Sequence, residues 1–182
     1  STFRRSKMKS LKVRIFPDST QQIILRTLAD EHRLLYNHLL ENARKGDNFK
    51  QLYERHKSFR KEHNLTILSH PAQNTYHRFI NNVKSFYALR KKDSTTKFPH
   101  RFKSHKYFFT FEITAKNGFK ISKEKVSITL CKKKSLDIRL PNYFSDSEVN
   151  DSSVKTLTVK EEDGKFFLVF VYAEKKREVN VD

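Results

Sequence analysis

The chain has 182 residues, with 38 Lys and Arg against 20 Asp and Glu, a formal net charge of +18 and a single cysteine. Its length fits one domain or two small ones, and 16 Phe with 7 Tyr can hold a core although the hydrophobic fraction is only 36%. A charge surplus of this size repels itself unless a polyanion neutralises it, and nucleic acid is the usual partner. No apolar run approaches the roughly 18 residues that span a bilayer. Cys131 alone can form neither an intrachain disulfide nor a thiolate-rich zinc site. The opening Phe3-Arg4-Arg5-Ser6-Lys7 is charged and no apolar run follows it, so a cytoplasmic, nucleic-acid-associated setting is expected.

The segment Lys12-Val13-Arg14-Ile15-Phe16 alternates charged and apolar residues, the pattern of a half-buried strand stopped by Pro17. A strand alone is unstable, so it should pair with a later β region, which makes the helices between them an insertion. Ser19 with Gln22 forms a capping-box pattern opening helix one. Ile24, Leu28, Leu35 and Leu39 form its apolar stripe, and Gly46 is its C-terminal stop. A second helix is predicted over about 49–63, with Phe49, Leu52, Tyr53, His56 and Phe59 on one face. A third starts after Ser69-His70, with Pro71 in its first turn and Tyr76, Phe79, Ile80, Val83, Phe86 and Tyr87 packed. Three amphipathic helices with short joints make a small bundle.

From Arg90 to Lys106 runs a basic connector with Asp93 as its only acid. Beyond it the period changes to two, and strands are predicted at 107–113, 119–122, 126–130, 136–140, 154–160 and 166–173, with a polar loop at 145–153. Asp163-Gly164 is a hairpin turn. The expected fold class is α+β: a β-rich unit over 1–17 and 107–182, interrupted by a helical insert with its connector over 18–106.

Catalytic signatures are missing from the sequence. There is no Gly-rich phosphate loop, Cys/His zinc spacing, nucleophile elbow or carboxylate set for two metals. Most acids sit beside Lys or Arg, as surface pairs do. The eight histidines, including the pairs His56/His63 and His70/His77, read as partly exposed helix residues, some near phosphates, rather than metal ligands. Neither a metal nor any other cofactor is expected. In Lys97-Phe98-Pro99-His100-Arg101-Phe102-Lys103-Ser104-His105-Lys106-Tyr107, by contrast, cations alternate with aromatics. Cations release counterions from phosphates; aromatic faces either stack on unpaired bases or pin the loop to the core. Arg4, Arg5, Lys7, Lys9, Lys12 and Arg14 form a second basic cluster. Lys132-Lys133-Lys134 sits at a predicted hairpin tip, suited equally to a phosphate contact or to protecting a sheet edge. On the helices, Gln73 and Asn74 are residue types that read adenine edges.

Val13-Arg14-Ile15-Phe16-Pro17, then Gln21-Gln22, then Leu35-Tyr36-Asn37-His38-Leu39-Leu40 resemble the opening of TnpB, also called OrfB. The resemblance continues through Gln73, Phe86-Tyr87 and the Phe98-Pro99…Arg101-Phe102-Lys103 connector, where His100 departs from the family's usual Pro-Arg-Phe-Lys run. It implies a β-barrel-like wedge domain interrupted by a helical recognition domain, with guide RNA and target double-stranded DNA as partners. Base pairing would read most of the target, and the protein a short adjacent motif. By similarity the motif contacts fall on Phe49, Tyr53, Ser69, Gln73 and Thr114, and the backbone contacts on Lys12, Arg14, Lys97, Arg101, Lys103 and Lys106. In the family a RuvC-like nuclease follows this region, and no such motif occurs before Asp182. Cleavage by this polypeptide alone is therefore not expected, and a separate or missing nuclease domain would supply it. The alternative is a transposase domain whose helices read duplex DNA directly, as a helix-turn-helix without RNA.

Overall fold

Alternation at the N-terminus does produce a strand. The computed structural model describes residues 7–98, 101–115 and 117–175. In it β1 (Met8–Ile15) buries Val13 and Ile15 and pairs antiparallel with the last strand, from Met8↔Ala173 to Ile15↔Phe166. Three helices follow: α1 (Ser19–Arg44), α2 (Phe49–Glu62) and α3 (Ser69–Lys92). Then come β2 (Phe111–Thr114), β3 (Phe119–Ile121), β4 (Lys125–Thr129), β5 (Ser135–Arg139), a 3-10 turn at Asn142–Asp146, β6 (Val154–Glu162) and β7 (Lys165–Ala173).

The α+β expectation holds. The strands make two antiparallel sheets, ordered β1-β7-β6-β2 and β3-β4-β5, and among the described residues they do not close into one barrel. One hydrophobic cluster runs through the helices and both sheets, including Leu25, Tyr36, Phe79, Val126, Phe144 and Phe170.

Several boundaries move for local reasons. The N-cap of α1 is Asp18, one residue earlier than expected: its side chain accepts from Gln21 N at 2.8 Å, and Gln21 Oε1 accepts from Asp18 N at 3.0 Å. A carboxylate here also favours the positive end of the helix. Asn48 and Gln51 repeat the capping box on α2. Gly46, at φ +101°, ends α1 in a conformation that costs other residues strain. The strand expected from Tyr107 begins only at Phe111, because β6 offers partners to 111–114 alone. Instead, the Thr110 carbonyl accepts from Arg78 at 2.7 Å. Tyr87, expected to pack, is 55% exposed. The loop at 145–153 is partly anchored: Val149 within it is buried, and Phe144 just before it is buried with its ring centre 5.1 Å from that of Phe170. Asp163 and Gly164, at φ 50° and 75°, make the expected tight turn between β6 and β7.

A carboxylate on α1 fixes the α2–α3 joint. Glu31 accepts from Thr66 N at 2.8 Å and from Ile67 N at 3.1 Å. Glu31→Ala leaves two partly buried amides without their charged acceptor and should cost roughly 2–3 kcal/mol in urea unfolding. An unchanged midpoint would show that solvent replaces the carboxylate.

Candidate nucleic-acid interface

Helix α3 contains no Asp or Glu along its whole length. One side of it, with Phe79, Ile80, Val83 and Phe86, is buried against the core. The opposite side leaves His77, Arg78, Asn81 and Lys84 exposed, with Gln73 and Asn74 half-buried beside them. This face overlooks β2 across a cleft of about 440 Å³, lined by Asn74, His77, Arg78, Asn81, Glu112 and Thr158 among others.

Both walls are tied in place. Asn74 Nδ2 donates to the Glu112 carbonyl at 3.2 Å, and the Arg78 guanidinium, besides its bond to Thr110, lies 4.5 Å from the Phe109 ring centre. Beneath them His32 is fully buried, 2.7 Å from the Thr75 hydroxyl and stacked on Phe111 at 4.8 Å. Burial first, and the Arg78 charge second, push the His32 pKa down to about 3, so the ring is neutral. His56 is buried too, stacked on Tyr76 at 5.1 Å, and burial lowers its pKa. These two histidines are therefore core residues rather than partly exposed ones, because aromatic neighbours replace water around their rings. His38, also lowered chiefly by burial, packs on Phe59 at 4.7 Å. Among the described residues no three His, Cys, Asp or Glu side chains gather as a metal site.

The acids are spent elsewhere. Ion pairs such as Lys9–Glu174, Lys12–Glu162, Arg26–Glu161, Lys45–Glu41 and Lys125–Asp137 lie on or next to α1 and the strands. Glu162 serves both Lys12 and Lys160, which hold its carboxyl down at about 2. Arg55 pairs with Asp47 across the α1–α2 joint. No ion pair among the described residues involves a cation of α3 or of the connector. In the connector Asp93 instead accepts from the Thr95 amide and hydroxyl, at 2.9 and 2.7 Å. Lys97, Arg101, Lys103 and Lys106 are exposed and have no acid partner among the described residues.

The connector is held firmly to the bundle. Asn37 makes a two-way clamp on Lys103, donating to its carbonyl at 2.9 Å and accepting from its amide at 2.7 Å. The Lys103 ammonium lies 5.3 Å from the Tyr36 ring centre. Phe98 meets Phe86 edge-on at 5.1 Å, the pinning role, whereas Phe102 is 49% exposed beneath the Arg44 guanidinium at 4.6 Å. Asn37 was missed as a contributor to the site. It stood in the sequence one residue past Tyr36, but an amide that clamps a segment 66 positions away leaves no local pattern.

The five motif residues do not share one pocket. Phe49 and Tyr53 lie on the α2 side of α3, where the Phe49 carbonyl accepts from Tyr76 OH at 3.1 Å and Tyr53 meets Tyr76 at 5.3 Å. Ser69 is the first residue of α3 and exposed; Gln73 is one turn further on. Thr114 ends β2 on the other side of the cleft, opposite Thr156. Lys12 and Arg14 stand on the open face of the four-stranded sheet, on a different element from the connector cations. Lys132 and Lys133 occupy the β4–β5 turn at φ 61° and 57°, a conformation in which lysine is strained. Arg4, Arg5, Pro99 and His100 lie outside the described residues.

Residues 8–46 match the helix-turn-helix domain of IS605 OrfB proteins. No curated protein matches the chain. In this structure the matched segment is β1 followed by the single helix α1 and ends at Gly46. A helix-turn-helix here would consist of α1, the joint 45–48 and α2, so its second helix starts just beyond the match. No helix among the described residues is long and apolar enough to cross a membrane.

Proposed function

We propose that this chain is a nucleic-acid-binding protein of the TnpB type, the wedge and recognition portion of an RNA-guided DNA endonuclease. It holds a guide RNA on its basic connector and inspects a short DNA motif from α3. The acid-free outer face of α3 carries the reading: amides and an arginine meet in an open cleft, flanked by cations that pair with no acid among the described residues. Base-edge recognition needs such donors and acceptors, and phosphate binding needs unpaired charge. The β part, 1–17 with 107–182, acts as one base for the insert 18–106, and cleavage belongs to a nuclease domain outside this sequence.

Gln73→Ala should lower preference for the target-adjacent motif about tenfold, while affinity for unrelated duplexes stays nearly constant. Competition binding across a randomised duplex library measures this. Equal losses on every sequence would sink the reading role.

The α1–joint–α2 arrangement, with Gly46 in a four-residue joint and Phe49 exposed at the start of α2, favours a second reading. There α2 enters the major groove of duplex DNA directly. Sequencing the nucleic acid that copurifies separates the two: a structured RNA supports the first, and RNA-free, sequence-specific duplex binding supports the second.

A further inference from the structure

Phe16 stands at the corner between β1 and α1 with 76% of its surface exposed. A mobile tail would explain such exposure, but this corner is tied down by hydrogen bonds and burial. Pro17 is buried, its carbonyl accepts from Gln22 at 3.0 Å, and the Asp18–Gln21 capping box follows at once. Gln21 also donates to the Asp137 carbonyl at 2.6 Å, tying the corner to β5. The fold therefore holds a large apolar ring in water, which costs free energy unless something covers it.

Its neighbours indicate what covers it. The Arg14 guanidinium lies 4.7 Å from the Phe16 ring centre and 5.9 Å from that of Phe167. The Lys12 ammonium lies 4.4 Å from the Phe167 ring centre. In register, Phe167 sits between Arg14 on β1 and Lys160 on β6. The Arg14 Nε is buried without a hydrogen-bond partner. Rings and cations thus alternate along the open sheet face, with Glu162 as the acid that Lys12 and Lys160 share. The adjoining row, Lys12–Val169–Thr158–Glu112, crosses all four strands, about 14 Å at the usual strand spacing. Its far end, Thr158 and Glu112, lines the α3 cleft.

We propose that Phe16 and the adjoining open face of the sheet form a stacking site for unpaired bases of a single-stranded nucleic acid, with Arg14 taking the neighbouring phosphate. A protein partner with a merely apolar patch would meet the Arg14 guanidinium here, and a duplex would present bases already stacked on each other. An unpaired strand offers a free ring face and a phosphate at each step, matching both features. The site deepens the nucleic-acid reading and rests on it, yet it is scored on a different polymer from the Gln73 test. A Gln73 effect on duplex selectivity without any Phe16 effect on single strands would overturn the stacking site alone.

The chain has no tryptophan, so Phe16→Trp introduces its only indole. Titration with oligo(U), oligo(dU) and a hairpin duplex should quench that emission with the single strands and not with the duplex. In filter binding, Phe16→Ala and Phe16→Leu should each lower single-strand affinity about tenfold or more, since leucine keeps apolar volume but has no ring face, and leave duplex affinity within about twofold. Tighter oligo(U) binding assigns the strand as RNA and tighter oligo(dU) binding as displaced DNA; both support stacking. An absence of quenching at saturation, equal quenching by duplex, or full single-strand affinity in Phe16→Leu would overturn it.

Discussion

Replacing Lys97, Arg101 and Lys103 together by Gln should flatten the salt dependence of nucleic-acid binding by about three units and weaken binding roughly 10²–10³-fold near 0.1 M salt. Each phosphate neutralised by a cation releases condensed counterions and contributes about 0.9 to the slope of log affinity against log salt. Many surface lysines would contribute less, because they are already paired with acids. These three are exposed, and no acid in the described chain neutralises them. Lys103 is further pre-positioned by the Asn37 clamp, so little ordering remains to be done on binding. The loss should be uniform across sequences, in contrast to that of Gln73→Ala. Polarisation titrations over a range of salt concentrations report the slope directly. A triple variant with the parental slope would mean that the phosphates lie elsewhere, and the Lys132–Lys134 turn would be the next surface to neutralise.

Acid should unfold this protein earlier than its charge alone requires, and His32 is the main reason. The ring is neutral in the fold, its pKa depressed to about 3, whereas the unfolded chain takes up the proton near 6.5. For a group depressed in the native state, the stabilisation is present above the unfolded pKa and is lost as pH falls toward the folded one. Between pH 6.5 and 4.5 this one residue should remove about 2–3 kcal/mol, a sizeable part of an ordinary domain's stability. The lowered pKa values of His38 and His56 act in the same direction, as does the lowered carboxyl of Asp137, held down by Ser127 and Lys125. His32→Gln keeps a polar partner for Thr75 but cannot titrate. It should be somewhat less stable at neutral pH and show a clearly shallower fall toward pH 4.5. Urea midpoints at several pH values decide the matter, and an unchanged pH slope would exclude His32 as the source. Because His32 packs against Thr75 and Phe111 beneath the cleft, loss of the α3 face should accompany this transition.

Much of the architecture could be read locally. The period-two run around Val13 became β1, the i, i+3, i+4 spacing of Tyr76, Phe79, Ile80 and Val83 became α3, and Asp163-Gly164 became a tight turn. These signals work because backbone periodicity puts a residue's burial under the control of its near neighbours. Where two local patterns competed, the sequence was ambiguous by one step, as at Asp18 against Ser19, where both offer an oxygen to the first turn. Tyr107–Thr110 alternates well enough for a strand, yet no strand among the described residues pairs with it.

By itself, then, the sequence determined the charge surplus, the element types and their order, and the basic connector with its single acid. Tertiary structure decided which cations keep their charge available: Lys12 meets Glu162 from 150 positions away, while Lys97 and Arg101 meet no acid among the described residues. It also decided that His32 is buried, that Asn37 clamps Lys103 and that Phe16 stands in solvent on a hydrogen-bonded corner. Each of these depends on partners distant in the chain, and pairing across such distances leaves no trace in periodicity.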